Sequence, residues 1–279
     1  MEIQARAKIN WTLDVVGRRI DGYHLLDMLM QPLTLCDTLR IEPADALSLG
    51  IEGTDVLSAD DDNLILRAAR ALQTAAGIDA GASIHLTKRI PMGAGLGGGS
   101  ADAAAALKGL NAFWGIGYDL DKLCAIGVKL GADVPFCLHD APRRAQGIGE
   151  ILFPIESSVF PLVLIQPCEA LSTKEVFSAY HQSHIAPPDT ENALAALAAG
   201  DLKALKASAG NVLESASIPL RPRIAEAKAA LYEAGAAFAQ MTGSGSAVFG
   251  VFEGKAAADS AFEALKSRYA ACIQTSTAL

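Results

Sequence analysis

Apolar and polar residues alternate almost without a break from Ile3 to Val15. Ile3, Ala5, Ala7, Ile9, Trp11, Leu13 and Val15 point one way, and Gln4, Arg6, Lys8, Asn10, Thr12 and Asp14 the other. That period predicts a half-buried strand with Lys8 and Asn10 side by side on its polar face. The run Gly17-Arg18-Arg19-Ile20-Asp21-Gly22 predicts a turn, because Asp-Gly readily adopts turn geometry. Leu25–Leu35 and Asp37–Glu42 read as two further strands. An apolar stripe at helical spacing through Leu64, Leu66, Ala68 and Leu72 predicts a helix capped by Asn63. Ser83–Ile90 reads as a strand, and the alanine-rich Ala101–Leu110 as a helix. Leu120–Leu130 predicts another helix, stopped by Gly131 and barred from continuing by Pro135. Beyond Pro154 the texture changes to a short apolar strand at Leu162–Gln166 and alanine-rich helices at Ala193–Ala209 and Arg223–Gly235. A strand at Ala247–Phe252 and an amphipathic helix at Ala256–Tyr269 follow. The change places a domain boundary near residue 153, giving domains 1–152 and 153–279.

Between the strand ending at Ile90 and the alanine helix lies Pro91-Met92-Gly93-Ala94-Gly95-Leu96-Gly97-Gly98-Gly99-Ser100. Five glycines among seven residues free the backbone to take positive φ and to approach a ligand closely. A helix N-terminus follows at once, with unpaired N–H groups and the positive end of its dipole. Together they form an anion cradle suited to a phosphate chain. The GxGxxG spacing of Gly93, Gly95 and Gly98 lacks the acidic strand end that a dinucleotide site needs. A Walker loop would place a lysine after the last glycine, where Ser100 stands. Positive charge for the phosphates must come from Lys88, Lys8 or magnesium, and Ser100 is free in this reading to cap the helix or to touch the metal.

The net charge of −8 argues against a broad nucleic-acid face. No apolar run reaches the roughly 18 residues of a bilayer span, and patterned sequence begins by Ile3, leaving no room for a leader. Five cysteines without CxxC spacing fit a reduced, cytoplasmic protein with neither a disulfide framework nor a zinc site. His181 and His184 share a helical face but have no third ligand in view, so no metal ligands are assigned. The expected partners are small molecules, without nucleic acid, membrane or an obligate protein.

Three blocks, Ala7-Lys8-Ile9-Asn10, Pro91–Ala104 and Thr242-Gly243-Ser244-Gly245-Ser246, resemble the GHMP kinases, the small-molecule kinases of galactose, homoserine, mevalonate and phosphomevalonate. Gly17–Gly22 with Tyr23-His24, Asn63-Leu64-Ile65, Gly131–Phe136, Gly147-Ile148-Gly149-Glu150 and Ser172-Thr173 narrow the resemblance. They match the branch whose acceptor is CDP-methylerythritol. Arg6 stands where the opening motif more often has proline, and Arg143–Gln146 where a glycine-rich segment is common. The resemblance implies an α+β fold of two domains. The first is a ribosomal-protein-S5-like α/β domain bearing the glycine-rich phosphate loop, and the second a ferredoxin-like α/β domain. It implies ATP and Mg²⁺ as cofactors and transfer of the γ-phosphoryl to the 2-hydroxyl of the acceptor. Lys8 and Asp133 are then the catalytic pair, a carboxylate near the hydroxyl with a cation beside it. Asn63, Leu64, Lys88 and residues 91–100 hold ATP. Tyr23 and Phe177 sandwich the cytosine, His24 reads its polar edge, and Asn10 and Thr173 hold the erythritol or diphosphate.

Overall fold

The computed structural model describes residues 1–54, 57–60, 62–180 and 185–279, which excludes the His181/His184 pair. The chain forms two compact units that interleave along the sequence. One comprises Met1–Ala7, Leu35–Ile90 and Gly97–Asp140, the other Lys8–Thr34, Pro91–Leu96 and Ala141–Leu279. The division falls within the two longest strands, β1 (Glu2–Arg18) and β2 (His24–Glu42). Residues 24–42 thus form one continuous strand where the apolar pattern suggests two, because Cys36 and Asp37 stay in extended register.

In the first unit β3 (Leu47–Glu52) runs parallel to β4 (Ala82–Thr87), and β4 pairs antiparallel with Thr38–Glu42 of β2. β4 ends three residues short of Ile90. Lys88 N still bonds Glu52 O, but Arg89 N and Ile90 N turn to the Asp37 carboxylate. Among the described residues four helices accompany this sheet: α1 (Leu64–Ala76), α2 (Gly98–Phe113), α3 (Leu120–Gly127) and α4 (Val134–His139). Asn63 caps α1 as its sequence predicts, its side chain accepting from Ile65 N at 2.9 Å. Alanines on α2 allow close approach to Leu39, Ile41, Leu72, Leu107 and Leu110 in one buried core. Gly109 is needed there, since a Cβ would lie 2.3 Å from Ile3 Cδ1. α3 stops at Gly127 rather than Leu130, because Lys129 N and Leu130 N reach back three residues to Ile126 O and Gly127 O. Pro135 does not merely end a helix. It sits in the first turn of α4, where its missing N–H leaves no bond unmade.

In the second unit β5 (Arg143–Gly147) pairs antiparallel with Leu26–Met30 of β2 and with β6 (Ile151–Pro154). A separate four-stranded antiparallel sheet follows, built from β7 (Pro161–Gln166), β9 (Phe238–Met241), β10 (Val248–Val251) and β11 (Ala271–Ser276), in the order β11-β7-β10-β9. Between β7 and β9 run α5 (Thr173–Ala179), α6 (Thr190–Ala199), α7 (Leu202–Ser208), the short β8 (Gly210–Asn211), α8 (Glu214–Leu220) and α9 (Arg223–Glu233). α10 (Lys255–Leu265) precedes β11 and packs on it, and α9 packs on β9 and β10. The helix expected over Ala193–Ala209 is two helices. Gly200 takes φ 68°, and the Asp201 carboxylate then starts α7 by accepting from Lys203 N and Ala204 N. Trp11, fully buried, meets Phe160 and Phe249 edge-on and donates to Gln31 Oε1 at 2.7 Å. No helix among the described residues is long and apolar enough to cross a membrane.

Candidate active site

The alternation in β1 gives the right element but not the right environment for its polar face. Lys8, Asn10 and Thr12 are 4%, 1% and 0% exposed, so over residues 8–12 this face is as buried as the apolar one, while Gln4 at its start is exposed. A buried ammonium needs acceptors, and Lys8 Nζ donates to Asn10 Oδ1 at 2.8 Å and to Gly95 O at 2.9 Å. Asn10 Oδ1 also accepts from Gly243 N at 3.0 Å and Thr242 Oγ1 at 3.3 Å, and Asn10 Nδ2 points to Met28 Sδ. Asn10 is thereby committed to ordering Lys8 and the Thr242–Ser246 turn.

The glycine loop meets that turn within the same unit. Gly93, Gly95 and Gly97 take φ of 60°, 76° and 70°. A Cβ on Gly95 would fall 2.2 Å from Thr242 O, so only glycine lets the two backbones touch. The turn is fixed from its other side as well. Asn211 Nδ2 donates to Met241 O and Gly243 O, Glu214 Oε1 accepts from Met241 N, and Ser217 Oγ donates to Ser244 O.

The start of α2 belongs to the first unit. Gly97 is its N-cap and offers no side-chain cap, so Ser100 lies inside the helix and does not cap it. The first intrahelical bond runs from Ala101 N to Gly97 O, leaving the N–H groups of Gly98, Gly99 and Ser100 ahead of the ladder. Leu64 Cδ1 lies 3.3 Å from a Cβ built on Gly99, which places the Asn63-Leu64 corner against this turn. Lys88 lies close by, 3.1 Å from a Cβ built on Gly98. Its ammonium sits between two carboxylates, Asp37 Oδ2 at 2.5 Å and Asp102 Oδ2 at 2.7 Å. Asp37 and Asp102 escaped the sequence reading. A lone acidic residue in the run Ala101–Ala106 was the available signal.

Asp133 is half-buried at the head of α4. Its carbonyl accepts from Cys137 N, while its carboxylate makes no capping bond to the helix. Ser100 Oγ lies near the Gly131 position that leads into it.

At the β1–β2 turn the structure brings His24 and Phe177 together. Their rings stack at 5.0 Å with 23° between planes, and Tyr180 meets His24 edge-on at 6.0 Å. Tyr23 is 60% exposed, and one face of the Phe177 ring is covered by His24. Burial and the nearby Arg18 guanidinium hold the His24 imidazole below its ordinary value, which favours its neutral form. Thr173 Oγ1, at the start of α5, lies 3.1 Å from Ser244 Oγ. Among the described residues no group of three or more His, Cys, Asp or Glu is placed to hold a metal ion.

The model for the GHMP kinases N terminal domain matches residues 63–141, and that for the GHMP kinases C terminal matches 193–271. The chain is 41% identical to 4-diphosphocytidyl-2-C-methyl-D-erythritol kinase of Alkaliphilus metalliredigens over 96% of its own length and 94% of the relative's. It is 45% identical to the protein of that name from Pelotomaculum thermopropionicum, over 88% and 87%. A crystal structure of 4-(cytidine 5'-diphospho)-2C-methyl-D-erythritol kinase superposes with TM-score 0.87 at 37% identity, covering 100% of both chains. Homoserine kinase from Cytophaga hutchinsonii shares the fold, with TM-score 0.79 at 19% identity over 100% of this chain and 94% of that one.

Proposed function

This chain belongs to the GHMP kinase family, and within it to the 4-diphosphocytidyl-2-C-methyl-D-erythritol kinases, and on that premise we propose that Lys8 and Asp133 carry the transfer. The reaction is ATP-dependent phosphorylation of the acceptor's 2-hydroxyl, giving the 2-phosphate and ADP in the non-mevalonate route to isopentenyl diphosphate. In our reading Asp133 orients the hydroxyl and takes its proton as the oxygen attacks the γ-phosphorus. The bond from that phosphorus to the β,γ-bridging oxygen breaks, and ADP leaves with the bond pair. Phosphoryl transfer asks little covalent chemistry of a protein, so positioning and charge supply most of the effect.

The observation that carries this reading is the fully buried Lys8 ammonium, bonded to the carbonyl of Gly95 in the glycine loop and to Asn10. A cation held there neutralises charge developing at the phosphate end. Asn10 acts in this account as a positioning residue, since it is 1% exposed and its side chain is engaged internally. The N–H groups of Gly98, Gly99 and Ser100 receive phosphate oxygens, and Asn63 and Leu64 border the adenine. His24 and Phe177 act as one platform for cytosine, with the neutral imidazole offering a donor and an acceptor to the base edge. Thr173 and Ser244 lie together for the diphosphate, and Tyr23, an exposed aromatic on the turn, covers the base. Because no group of three or more His, Cys, Asp or Glu among the described residues is placed to hold a metal ion, Mg²⁺ would be brought mainly by the phosphates of ATP, where it would neutralise their charge. Five cysteines that form no disulfide fit a reducing, cytoplasmic setting.

The test is steady-state kinetics of Asp133→Asn and Lys8→Met. Both are expected to lose roughly 10²-fold or more in kcat with both KM values within about threefold. A variant keeping kcat within about threefold of the parent would remove that residue from the transfer.

A further inference from the structure

Lys88, Asp37 and Asp102 form an ionic cluster that the transfer itself does not use. All three are nine-tenths or more buried, and the ammonium touches both carboxylates. The two acids are not equivalent. Asp37 is fully employed: Oδ1 accepts from Arg89 N at 2.5 Å and Ile90 N at 2.8 Å, and Oδ2 takes Lys88. Asp102 takes Lys88 on Oδ2 and interacts with the neighbouring Asp37 carboxylate, while its Oδ1 is buried without a hydrogen-bond partner among the described residues. A buried carboxylate with one oxygen unsatisfied is costly, and two carboxylates sharing one lysine favour retention of a proton by the less well-bonded of them. The cluster also lies directly under the phosphate cradle. Lys88 Nζ is 3.1 Å from a Cβ built on Gly98, and Asp102 stands four residues, about 6 Å of helix rise, beyond that glycine.

We propose that Asp102 is a proton-bearing positioning residue for ATP: with its proton the cluster is neutral beneath the cradle, without it the cluster carries one negative charge toward the phosphates. This rests on the placement of ATP phosphates at Gly97–Ser100 given above. ATP binding then draws one proton from solvent onto the Asp102 carboxyl wherever that carboxyl was ionised, and the bound phosphates in turn hold the proton more firmly.

The surroundings agree. Burial, reinforced by Asp37 and opposed by Lys88, pushes the Asp102 carboxyl up to about 7. The helices packed against α2 carry Arg67 and Arg70 on α1, Asp121, Lys122 and Cys124 on α3, and Cys137 and His139 on α4, while β2 and β4 carry Arg40, Glu42 and His85. The charges acting on Asp102 are Lys88 and Asp37. Lys108, further along α2, acts instead on Asp140.

The experiment measures ATP affinity by calorimetry at about pH 6 and about pH 9, in the full chain and in Asp102→Asn, so that ATP's own titration is common to both. The wild-type affinity is expected to fall roughly tenfold more than the variant's across that interval. Near neutrality its binding heat should also depend on the buffer's ionisation enthalpy by an extra proton fraction. Equal pH dependence in the two proteins overturns the proposal while leaving the ATP site intact. No ATP binding by the wild type overturns the site and the proposal with it. Should Asp102→Asn fail to fold, carboxyl-carbon NMR of the wild type decides. An aspartate midpoint near neutrality that ATP moves upward supports the proposal, and a midpoint that ATP leaves in place overturns it.

Discussion

Replacing Gly95 with alanine separates close backbone contact from mere glycine flexibility. Its φ of 76° costs an L-residue about 1–2 kcal/mol. The new Cβ would also sit 2.2 Å from Thr242 O, 3.1 Å from Gly245 N and 3.2 Å from Gly245 O, all backbone atoms of a turn held on its far side by Asn211, Glu214 and Ser217. Relief needs a separation of about 1 Å, and overpacking of that kind adds about 1–3 kcal/mol. The expected loss of stability is therefore about 2–5 kcal/mol. Because Gly95 O holds Lys8 Nζ at 2.9 Å, the same displacement breaks that bond and misplaces the ammonium. A shift of that size at a reacting centre costs roughly 10²-fold in kcat. Gly115→Ala is the control. Gly115 has φ 65°, but nothing lies within 4 Å of its Cβ, so about 1 kcal/mol of strain and an unchanged kcat are expected. Urea unfolding gives the stability of each variant, and ADP release gives its rate. Equal stability losses in the two variants, with kcat preserved in Gly95→Ala, would refute the reasoning.

The His24 imidazole is held below its ordinary value, so folding favours its neutral form and stability declines as pH falls through the region below 6.5. KM for the cytidylated substrate should rise in that region more than KM for ATP, and His24→Phe should remove the acid-side loss of thermal stability. Asp102 works in the opposite sense. Its raised value predicts stability that declines as pH rises from about 4 to about 7, a slope that Asp102→Asn should flatten in a melting series. Asn63→Ala should cost about 1–2 kcal/mol in urea, since it removes both the α1 cap at Ile65 N and the bond to Ser58 O. Arg144→Ala strips the paired contacts at 2.8 and 2.7 Å from the half-buried Asp27, and should destabilise by about 1–3 kcal/mol without changing kcat.

Local signals in the sequence carried the elements whose causes are local. The β1 alternation, the Asn63 cap and the glycine loop each depend on neighbours within a few residues, and each is where the pattern puts it. Environment was less legible. The polar face of β1 is internal because Thr242 and Gly243, more than 230 residues away, complete its hydrogen bonds, and no period along residues 3–15 encodes that. Pro135 was read as a stop and Gly200 as the interior of one helix, yet the first opens a helix and the second divides one, a matter of position within the turn. The Asp37–Lys88–Asp102 cluster joins three separate segments, so only Asp102, isolated among alanines, left a trace in the chain. The aromatic site shows the same limit. Tyr23, His24 and Phe177 were all legible as candidates, but that His24 stacks on Phe177 depends on how α5 meets the β1–β2 turn.

The central claim is a kinase whose acceptor is fixed by a cytidine platform and whose transfer depends on Asp133. One coupled assay of ADP release tests it directly, offering Mg²⁺, ATP and either 4-diphosphocytidyl-2-C-methyl-D-erythritol, homoserine or mevalonate to the protein and to Asp133→Asn. ADP formed only with the cytidylated acceptor, and reduced roughly 10²-fold or more in the variant, is the predicted result. Comparable turnover of homoserine or mevalonate, or an Asp133→Asn protein as fast as the parent, would contradict it.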